Sequence, residues 1–357
     1  MAVVLITGVS RFLGGRLAAE LTRDPAVERV IGVDTHVPAQ LPARPHAEST
    51  FDGEAPLLGV EFVRADIRNP LIAKVLAQAR VTTVVHAGVM SSPRLVGGRV
   101  PMQELNVIGT MQLLGACQKS DTVSRVVLAS TAAVYGSGAR NPAVLTESMH
   151  PARAPRRGYA ADAVEVEAFV RGLARRRPDI EITTLRFAHI LGPRSDTALA
   201  RYLSGSVVPT ALGYDPRVQL LHEADAVEAL RRSSAGSRPG TFNVAGDGVL
   251  MLSQLLRRVG KARLPVPSPT LGAIGALLRN AGVADLSGEA AHFLLHGRVL
   301  DTTRMREQFG FQPQYSTAAT LDAYLGGHRH ARSPALAALN TGSRMLAARA
   351  RSARTPA

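Results

Sequence analysis

Tyr159 and Ala163 lie near the start of the segment GYAADAVEVEAFV, residues 158–170, whose apolar residues recur with helical spacing. Residues four apart lie on one face of a helix, so the side chain at position 163 would lie one turn beyond the tyrosine. A cation there would stabilise a phenolate and lower the pKa of the phenol from its ordinary value of ~10. Alanine supplies no charge. A phenol without this help is a weak base at neutral pH, although it can still donate a proton.

A second candidate for chemistry is the stretch TGVSRFLGG, residues 7–15, between an apolar run and a helical one. The start of a helix presents unpaired N–H groups and a positive dipole end, which together suit a pyrophosphate. Gly8 would permit a tight turn there, and Gly14 would permit close packing of the helix on a sheet. Asp34 ends the next apolar run about twenty residues later, where a carboxylate can bind the ribose diol of NAD. The pattern therefore predicts a dinucleotide-binding turn.

The segments that position these residues alternate between short β-branched runs and stretches of helical period. Apolar runs without polar alternation are typical of strands buried on both faces of a parallel sheet. The sequence therefore predicts an α/β fold, a Rossmann-type doubly wound parallel sheet with a smaller C-terminal substrate lobe. The predicted strands are residues 3–7, 29–34, 60–66, 82–88, 124–130 and 180–187, and the predicted helices are residues 12–23, 70–80, 103–119 and 159–177.

The predicted organisation has three parts. Residues 1–187 form the dinucleotide-binding Rossmann domain, and the less regular residues 188–326 form the substrate-binding lobe. Residues 35–58, with four prolines and little periodicity, predict a surface excursion within the first part. Residues 327–357 contain six arginines and no acid, which predicts a flexible basic tail. Whether this tail is only solvated, or contacts nucleic acid or an anionic surface, stays open.

Composition narrows the class of protein. A hydrophobic fraction of 46% with 20% charged residues is that of a globular protein. The single cysteine, Cys117, excludes an internal disulfide and indicates a reducing compartment, so we expect a cytoplasmic protein. The longest apolar stretch, near Leu271, is too short to span a bilayer. No cluster of histidine, cysteine and acidic residues has metal-site spacing, and we expect no metal.

Together these features resemble an extended short-chain dehydrogenase/reductase of the NAD-dependent epimerase/dehydratase family, over about residues 2–325. Within that family the chain is most similar to the group called UDP-glucose 4-epimerase-like. The family's glycine motif is TGxxGxxG, and STAAVYG at 130–136 is similar to its S-S-x-x-V-Y-G signature. The resemblance implies NAD as the cofactor, with Thr131 and Tyr159 as the catalytic residues. The cofactor-binding residues that it implies are Gly8, Ser10, Arg11, Phe12, Leu13, Gly14, Asp34, Asp66, Ile67, His86, Ala87, Gly88 and Tyr159.

Three positions depart from the family's pattern. Arg11 replaces the middle glycine of the loop, His189 replaces an asparagine, and Ala163 replaces the lysine of Tyr-x-x-x-Lys. An arginine at position 11 has a charge that matches a diphosphate, or a 2′-phosphate, in which case NADP would be favoured. Asp34 favours NAD, and NAD is the cofactor we expect. A lysine restored at position 163 is expected to fit along the helix face.

These observations favour an NAD-dependent oxidoreductase or epimerase that acts on a carbinol, with a nucleotide sugar as one candidate substrate. Two alternatives stay open. One is a catalytically weak or inactive dinucleotide-binding sensor or scaffold, consistent with Ala163. The other is a dehydrogenase of a lipid or steroid-like alcohol. The resemblance also implies a homodimer through the helices at 103–119 and 159–177.

Overall fold

The computed structural model describes residues 1–38, 59–91, 96–149, 155, 158–205, 207–271 and 288–330. The strands are β1 (Ala2–Thr7), β2 (Val27–Asp34), β3 (Val60–Arg64), β4 (Thr83–His86), β5 (Arg125–Thr131), β6 (Glu181–Phe187), β7 (His189–Leu191), β8 (Val207–Ala211), β9 (Arg217–Val218), β10 (Leu220–His222), β11 (Gly240–Val244), β12 (Leu250–Met251) and β13 (Ala262–Val266). The α-helices are α1 (Phe12–Leu21), α2 (Leu71–Gln78), α3 (Arg99–Gln103), α4 (Thr110–Lys119), α5 (Gly158–Arg176), α6 (Ala198–Ser204), α7 (Glu223–Ala235), α8 (Leu252–Val259), α9 (Gly288–His296), α10 (Thr303–Glu307) and α11 (Thr317–His330).

Seven strands form the central sheet, in the spatial order β11-β6-β5-β4-β1-β2-β3. Every neighbouring pair in it runs parallel. Within β1, Val4 and Ile6 belong to one core cluster and Val3 and Leu5 to another, because side chains alternate between the faces of a strand. Helices α1 and α7 contribute to the first cluster, and α2, α4 and α5 contribute to the second. The predicted doubly wound parallel sheet is confirmed.

The helix predicted at 103–119 begins earlier than expected. It runs from Arg99 through α3, continues as a π-helical stretch at Glu104–Gly109 and then becomes α4. Pro101 lies in its first turn, where a missing backbone N–H loses no hydrogen bond, and the proline therefore does not end the helix. Gly98 precedes the helix with φ 133°, a conformation that favours glycine.

The region after β6 does not form one continuous lobe. Its β11 pairs with β6 at the edge of the central sheet, and α7 packs against α1. The pairs β7/β10, β8/β13 and β9/β12 form three small sheets, and a separate apolar cluster includes Leu203, Val208 and Leu256. A dinucleotide-binding part and a substrate lobe remain our proposed division, with α7 and β11 assigned to the dinucleotide-binding part.

Two predicted segments fall largely outside the described residues: 39–58 of the surface excursion, and 331–357 of the basic tail. Among the helices that the structure describes, none has the length and apolar character needed to cross a membrane.

Candidate nucleotide-binding and active site

The carboxyl ends of the central strands bring several predicted residues to one edge of the sheet. Strands β1, β2, β4 and β5 end at Thr7, Asp34, His86 and Thr131, respectively. In open parallel sheets of this kind, ligands bind beyond the carboxyl ends of the strands. The predicted dinucleotide turn and the predicted catalytic threonine therefore lie on the same edge.

The turn after β1 requires glycine at two positions. Gly8 has φ +75°, and a Cβ added to it would lie 2.6 Å from the Cα of Gly88. A Cβ added to Gly14 would collide with the carbonyl oxygen of Gly8. By contrast, Arg11 has φ −98° and ψ 155°, an ordinary extended conformation that needs no glycine. The replacement of the family's middle glycine is thus compatible with the backbone of the turn.

A cleft with about 410 Å³ of empty space, open to solvent, lies beside this turn. Five of the predicted cofactor-binding residues line it: Gly8, Arg11, Asp34, Ile67 and Gly88. The sequence did not indicate the other lining residues, which are Thr7, Val33, Thr35, Ala65, Met90, Val96 and Leu105. The cleft combines apolar walls, a backbone turn, one cation and one acid, which is the chemistry that an adenosine diphosphate group requires.

Asp34 and Ser10 hold the turn in place beneath the cleft. The Ser10 backbone N–H donates to Oδ2 of Asp34 at 3.2 Å, and the Thr35 N–H donates to Oδ1 at 2.7 Å. The Ser10 hydroxyl is buried and has no hydrogen-bond partner among the described residues. A buried polar atom without a partner costs free energy, and a ligand oxygen that reached the Ser10 hydroxyl at this turn would relieve that cost. The residues present therefore fit a dinucleotide.

The predicted cofactor-binding residues Phe12, Leu13, Asp66 and Ala87 do not line this cleft. Leu13 and Ala87 pack against the core, and the guanidinium of Arg16 lies 5.7 Å from the centre of the Phe12 ring. Asp66 accepts hydrogen bonds from Nε and Nη2 of Arg68 at 3.0 and 2.7 Å. Burial alone would raise the pKa of Asp66, but these bonds hold it below its usual range. Asp66 is thus held as a carboxylate beside the cleft wall formed by Ile67.

The side chain of His86 lies in the core, below the cleft. It is 2% exposed, and its Nδ1 and Nε2 lie 2.7 and 2.8 Å from the hydroxyls of Thr7 and Thr110. Thr110 donates its own hydrogen to the carbonyl of Asn106, so Nε2 must donate to Thr110 and Nδ1 must accept from Thr7. Burial lowers the pKa of His86 to about 4, which keeps the ring neutral. Any contact of this residue with a cofactor would come from its main chain.

Thr131 lines a second cleft, which has about 290 Å³ of empty space. Its hydroxyl accepts a hydrogen bond from the Ala133 N–H at 3.2 Å, and this fixes the side chain at the start of a 3₁₀ turn. The remaining lining residues are Ala132, Phe187, Ala188, His189, Gln219, Arg298 and Leu300. The cleft therefore has an apolar floor and a few polar side chains beside the predicted catalytic hydroxyl.

Tyr159 is half-buried in the first turn of α5, and this helix packs against the 3₁₀ turn that follows Thr131. Farther along the helix, the buried Glu167 accepts hydrogen bonds from Ser130 at 2.6 Å and from Arg186 at 2.6 Å. The Ser130 hydrogen bond ties α5 to the strand that ends in Thr131, and the ion pair with Arg186 ties α5 to β6. The helix of one predicted catalytic residue and the strand of the other are thereby held together.

Ala163 is 2% exposed and belongs to the apolar core cluster. A lysine at this position would begin in an apolar environment, which opposes a charge. The structure therefore does not support the expectation that a restored lysine fits easily. Arg157, which directly precedes α5 in the chain, lies outside the described residues.

Several polar residues near the site were not predicted. Gln219 and Arg298 line the cleft of Thr131, and the guanidinium of Arg298 lies 5.3 Å from the centre of the Phe293 ring. His189, which replaces the family's asparagine, lies against the same ring, 4.4 Å between centres. Gln219 follows an arginine and a valine, and Arg298 precedes two apolar residues. Neither residue belongs to a motif or a periodic pattern that would predict a place in the site. Across the described ranges, no group of three or more histidine, cysteine or acidic residues is placed to hold a metal ion.

The comparisons with known proteins agree with this geometry. The chain is 46% identical, over 325 residues, to an uncharacterised protein of Mycobacterium tuberculosis (strain ATCC 25618 / H37Rv), which covers 91% of this chain and 84% of that protein. It is 27% identical to the UDP-glucose 4-epimerase of Mycolicibacterium smegmatis, over 88% of this chain and 94% of that enzyme. The solved UDP-glucose 4-epimerase of Thermotoga maritima with UDP-glucose has a TM-score of 0.68 and 19% identity, over 93% of this chain and 100% of that one. This last likeness shows the fold.

The family model for NAD-dependent epimerases and dehydratases matches residues 4–245, a range that includes the dinucleotide turn, Thr131 and Tyr159. The chain belongs to the NAD-dependent epimerase/dehydratase family.

Proposed function

We propose that the protein is an NAD-dependent oxidoreductase or epimerase that acts on a carbinol. The observation that carries this proposal is the cleft at the carboxyl ends of β1 and β2, where Gly8 and Gly88 bring two backbones together beside Asp34. Gly8, Arg11 and the first turn of α1 would hold the diphosphate, and Asp34 the adenine ribose. A bound nicotinamide would supply reversible hydride transfer.

The chain's own residues would handle the proton and the orientation of the substrate. Tyr159 would take the proton from the carbinol or return it, and the hydroxyl of Thr131 would hydrogen-bond the developing oxygen anion. Support comes from the packing of α5 against the turn after Thr131 and from the buried Ser130–Glu167 hydrogen bond. A nucleotide sugar is the substrate class we favour, because the relatives of named function include UDP-glucose 4-epimerases.

NAD rather than NADP is part of this proposal. The carboxylate of Asp34 lies in the cleft, where it would accept hydrogen bonds from a ribose diol and repel a 2′-phosphate. Arg11 lines the same cleft and would favour the phosphate. Calorimetric titration with NAD⁺ and NADP⁺ separates the two effects. Tighter binding of NADP⁺ would show that Arg11 outweighs Asp34.

Ala163 favours a second candidate function, a dinucleotide-binding sensor or scaffold without turnover. Alanine at this buried position supplies no charge to assist Tyr159, and it lies in the apolar core. The dehydrogenase of a lipid or steroid-like alcohol is a weaker candidate, supported by the apolar residues Phe187 and Leu300 in the second cleft. The candidates therefore differ in whether turnover occurs and in the class of alcohol that is turned over.

A turnover screen distinguishes the candidates. Purified protein with NAD⁺ is incubated with UDP-glucose, or with a hydrophobic secondary alcohol, and the reduced cofactor and the epimerised sugar are both measured. We expect turnover of the sugar, and its loss in Tyr159→Phe with cofactor binding retained. No turnover in the wild-type protein, together with unchanged NAD⁺ affinity in Tyr159→Phe, would support the sensor.

A homodimer through α3, α4 and α5 is also proposed. Val100, Ile108 and Met111 are exposed by 66%, 43% and 45% along the helix from Arg99 to Lys119. A second copy packed on this face would remove these side chains from water. Sedimentation equilibrium tests this, since a monomer at micromolar concentration would contradict it. The cytoplasmic location, and contact of the basic tail with nucleic acid or an anionic surface, likewise remain predictions.

A further inference from the structure

A buried acid lies one turn from the start of α5. Asp162 is 1% exposed and follows Tyr159 by three residues. Its carboxylate accepts two hydrogen bonds from Arg99, at 2.7 and 2.6 Å, and one from Nδ2 of Asn106 at 3.2 Å. The paired arrangement of guanidinium and carboxylate is the geometry that fixes both groups most firmly.

Arg99 also binds the first residue of the same helix. Its Nη2 donates to the carbonyl oxygen of Gly158 at 3.3 Å. One guanidinium therefore contacts Gly158 and Asp162, and Tyr159 lies between these two residues in the chain. Because Arg99 belongs to α3, the backbone that carries the phenol is held from a neighbouring helix.

Asn106 extends this connection to the wall of the cofactor cleft. Its Oδ1 accepts from the Met90 N–H at 2.7 Å, and its Nδ2 donates to the Met90 carbonyl at 2.9 Å. Met90 lines the cleft beside Gly88. A continuous set of hydrogen bonds thus joins the cleft wall, Asn106, Asp162 and Arg99 to the turn of Tyr159.

We propose that Arg99, acting through Asp162, is a positioning residue that orients Tyr159 relative to the cofactor cleft. It takes over one task of the family's lysine, which in the helix would lie at position 163. Ala163 cannot perform that task, since it is an apolar residue in the core. The inference rests on the proposed function for its catalytic meaning, but the orientation of Tyr159 can be measured without turnover.

The first test is spectroscopic. The chain has six tyrosines, so with ¹³C-labelled tyrosine the signal of Tyr159 is the one missing from Tyr159→Phe. We compare Arg99→Gln, which removes the charge, with Arg99→Lys, which keeps it without the paired geometry. The double variant Arg99→Gln/Asp162→Asn leaves no unpaired buried charge, which guards against simple misfolding.

The matched control is Arg171→Gln. Arg171 lies on the same helix and pairs with another buried acid, Glu167, at 3.6 Å. We expect the Tyr159 signal to move in Arg99→Gln and in the double variant, to move less in Arg99→Lys, and to stay in place in the control. An unchanged Tyr159 signal in both Arg99→Gln and the double variant would overturn the proposal.

The second test is kinetic, with UDP-glucose and NAD⁺ as probes. A displacement of about 1 Å at a reacting group can lower kcat about 10²-fold, so we expect a loss of that order in Arg99→Gln and partial recovery in Arg99→Lys. The KM for NAD⁺ should change less than about threefold, because Arg99 acts on Tyr159 rather than on cofactor binding. Equal losses in kcat and NAD⁺ affinity would contradict this role. A wild-type protein without turnover contradicts the proposed function only, and the Tyr159 signal then decides the proposal on its own.

Discussion

Acid should destabilise this protein through His86 before most carboxylates are protonated. The imidazole is fully enclosed, with Thr7 donating to Nδ1 and Nε2 donating to Thr110. Burial lowers its pKa from 6.5 to about 4 in the folded protein. In the unfolded chain the ring regains the ordinary value and takes up a proton near pH 6.5.

The sign and size of the effect follow from this difference. Since the folded state binds the proton less readily, His86 contributes stability that is fully present above pH 6.5 and is lost as the pH falls towards 4. At about 1.4 kcal/mol per pH unit, the loss across this window is about 3 kcal/mol. This loss is a substantial fraction of the free energy of unfolding of a typical folded domain, which is roughly 5–15 kcal/mol.

Urea unfolding between pH 7.5 and 4.5 measures this contribution. We compare the wild-type protein with His86→Gln, whose amide can bond both hydroxyls but does not titrate, and with His36→Gln, which removes an exposed histidine. The free energy of unfolding of the wild type should fall more steeply with acid than that of His86→Gln, by about 2 kcal/mol at pH 5. His36→Gln should follow the wild type. Parallel curves for wild type and His86→Gln would refute the reasoning.

Three further predictions concern two packed positions and the C-terminal tail. In the same urea assay, Gly14→Ala should lower the free energy of unfolding by about 1–3 kcal/mol, and it should abolish NAD⁺ binding, because the added Cβ meets the Gly8 carbonyl. The control Gly115→Ala, whose Cβ meets nothing within 4 Å, should raise the free energy of unfolding by about 0.5–1 kcal/mol. Ala163→Lys should lower the free energy of unfolding by several kcal/mol without increasing turnover, whereas the control Ala161→Lys should change it by less than about 1 kcal/mol. A stable Ala163→Lys variant with higher activity would contradict our account of the core. Deletion of residues 328–357 should leave NAD⁺ affinity unchanged by calorimetry, and loss of soluble protein would disprove this.

The sequence predicted the central strands well because several of them, such as β1 and β4, are apolar runs buried on both faces. The predicted strand at 29–34 begins two residues late, and the one at 180–187 is correct to one residue. β11 was missed. It consists of only Gly240–Val244 in an irregular region, and its pairing with β6 spans more than fifty residues, which no local pattern can show.

The sequence likewise predicted part of the candidate site, namely the residues whose spacing has a local physical reason. Gly8 and Asp34 have a spacing with a physical reason, and both line the cleft. The sequence does mark Asp162, since this acid lies on the same helix face as the buried Val166 and Val170. An acid on an apolar face requires a partner. The sequence could not identify that partner, because Arg99 lies 63 positions away on another helix.

The late return of the chain to the sheet has a consequence during synthesis. Until β11 has formed, β6 is an edge strand, and one row of its backbone N–H and C=O groups is unpaired. A ribosome completes Glu181–Phe187 before it reaches Gly240, so at about 5–20 residues per second the edge stays open for several seconds. A fragment that ends at residue 187 would keep it open permanently. We therefore expect such a fragment to aggregate, and the nascent chain to be most vulnerable to association with other chains in this interval.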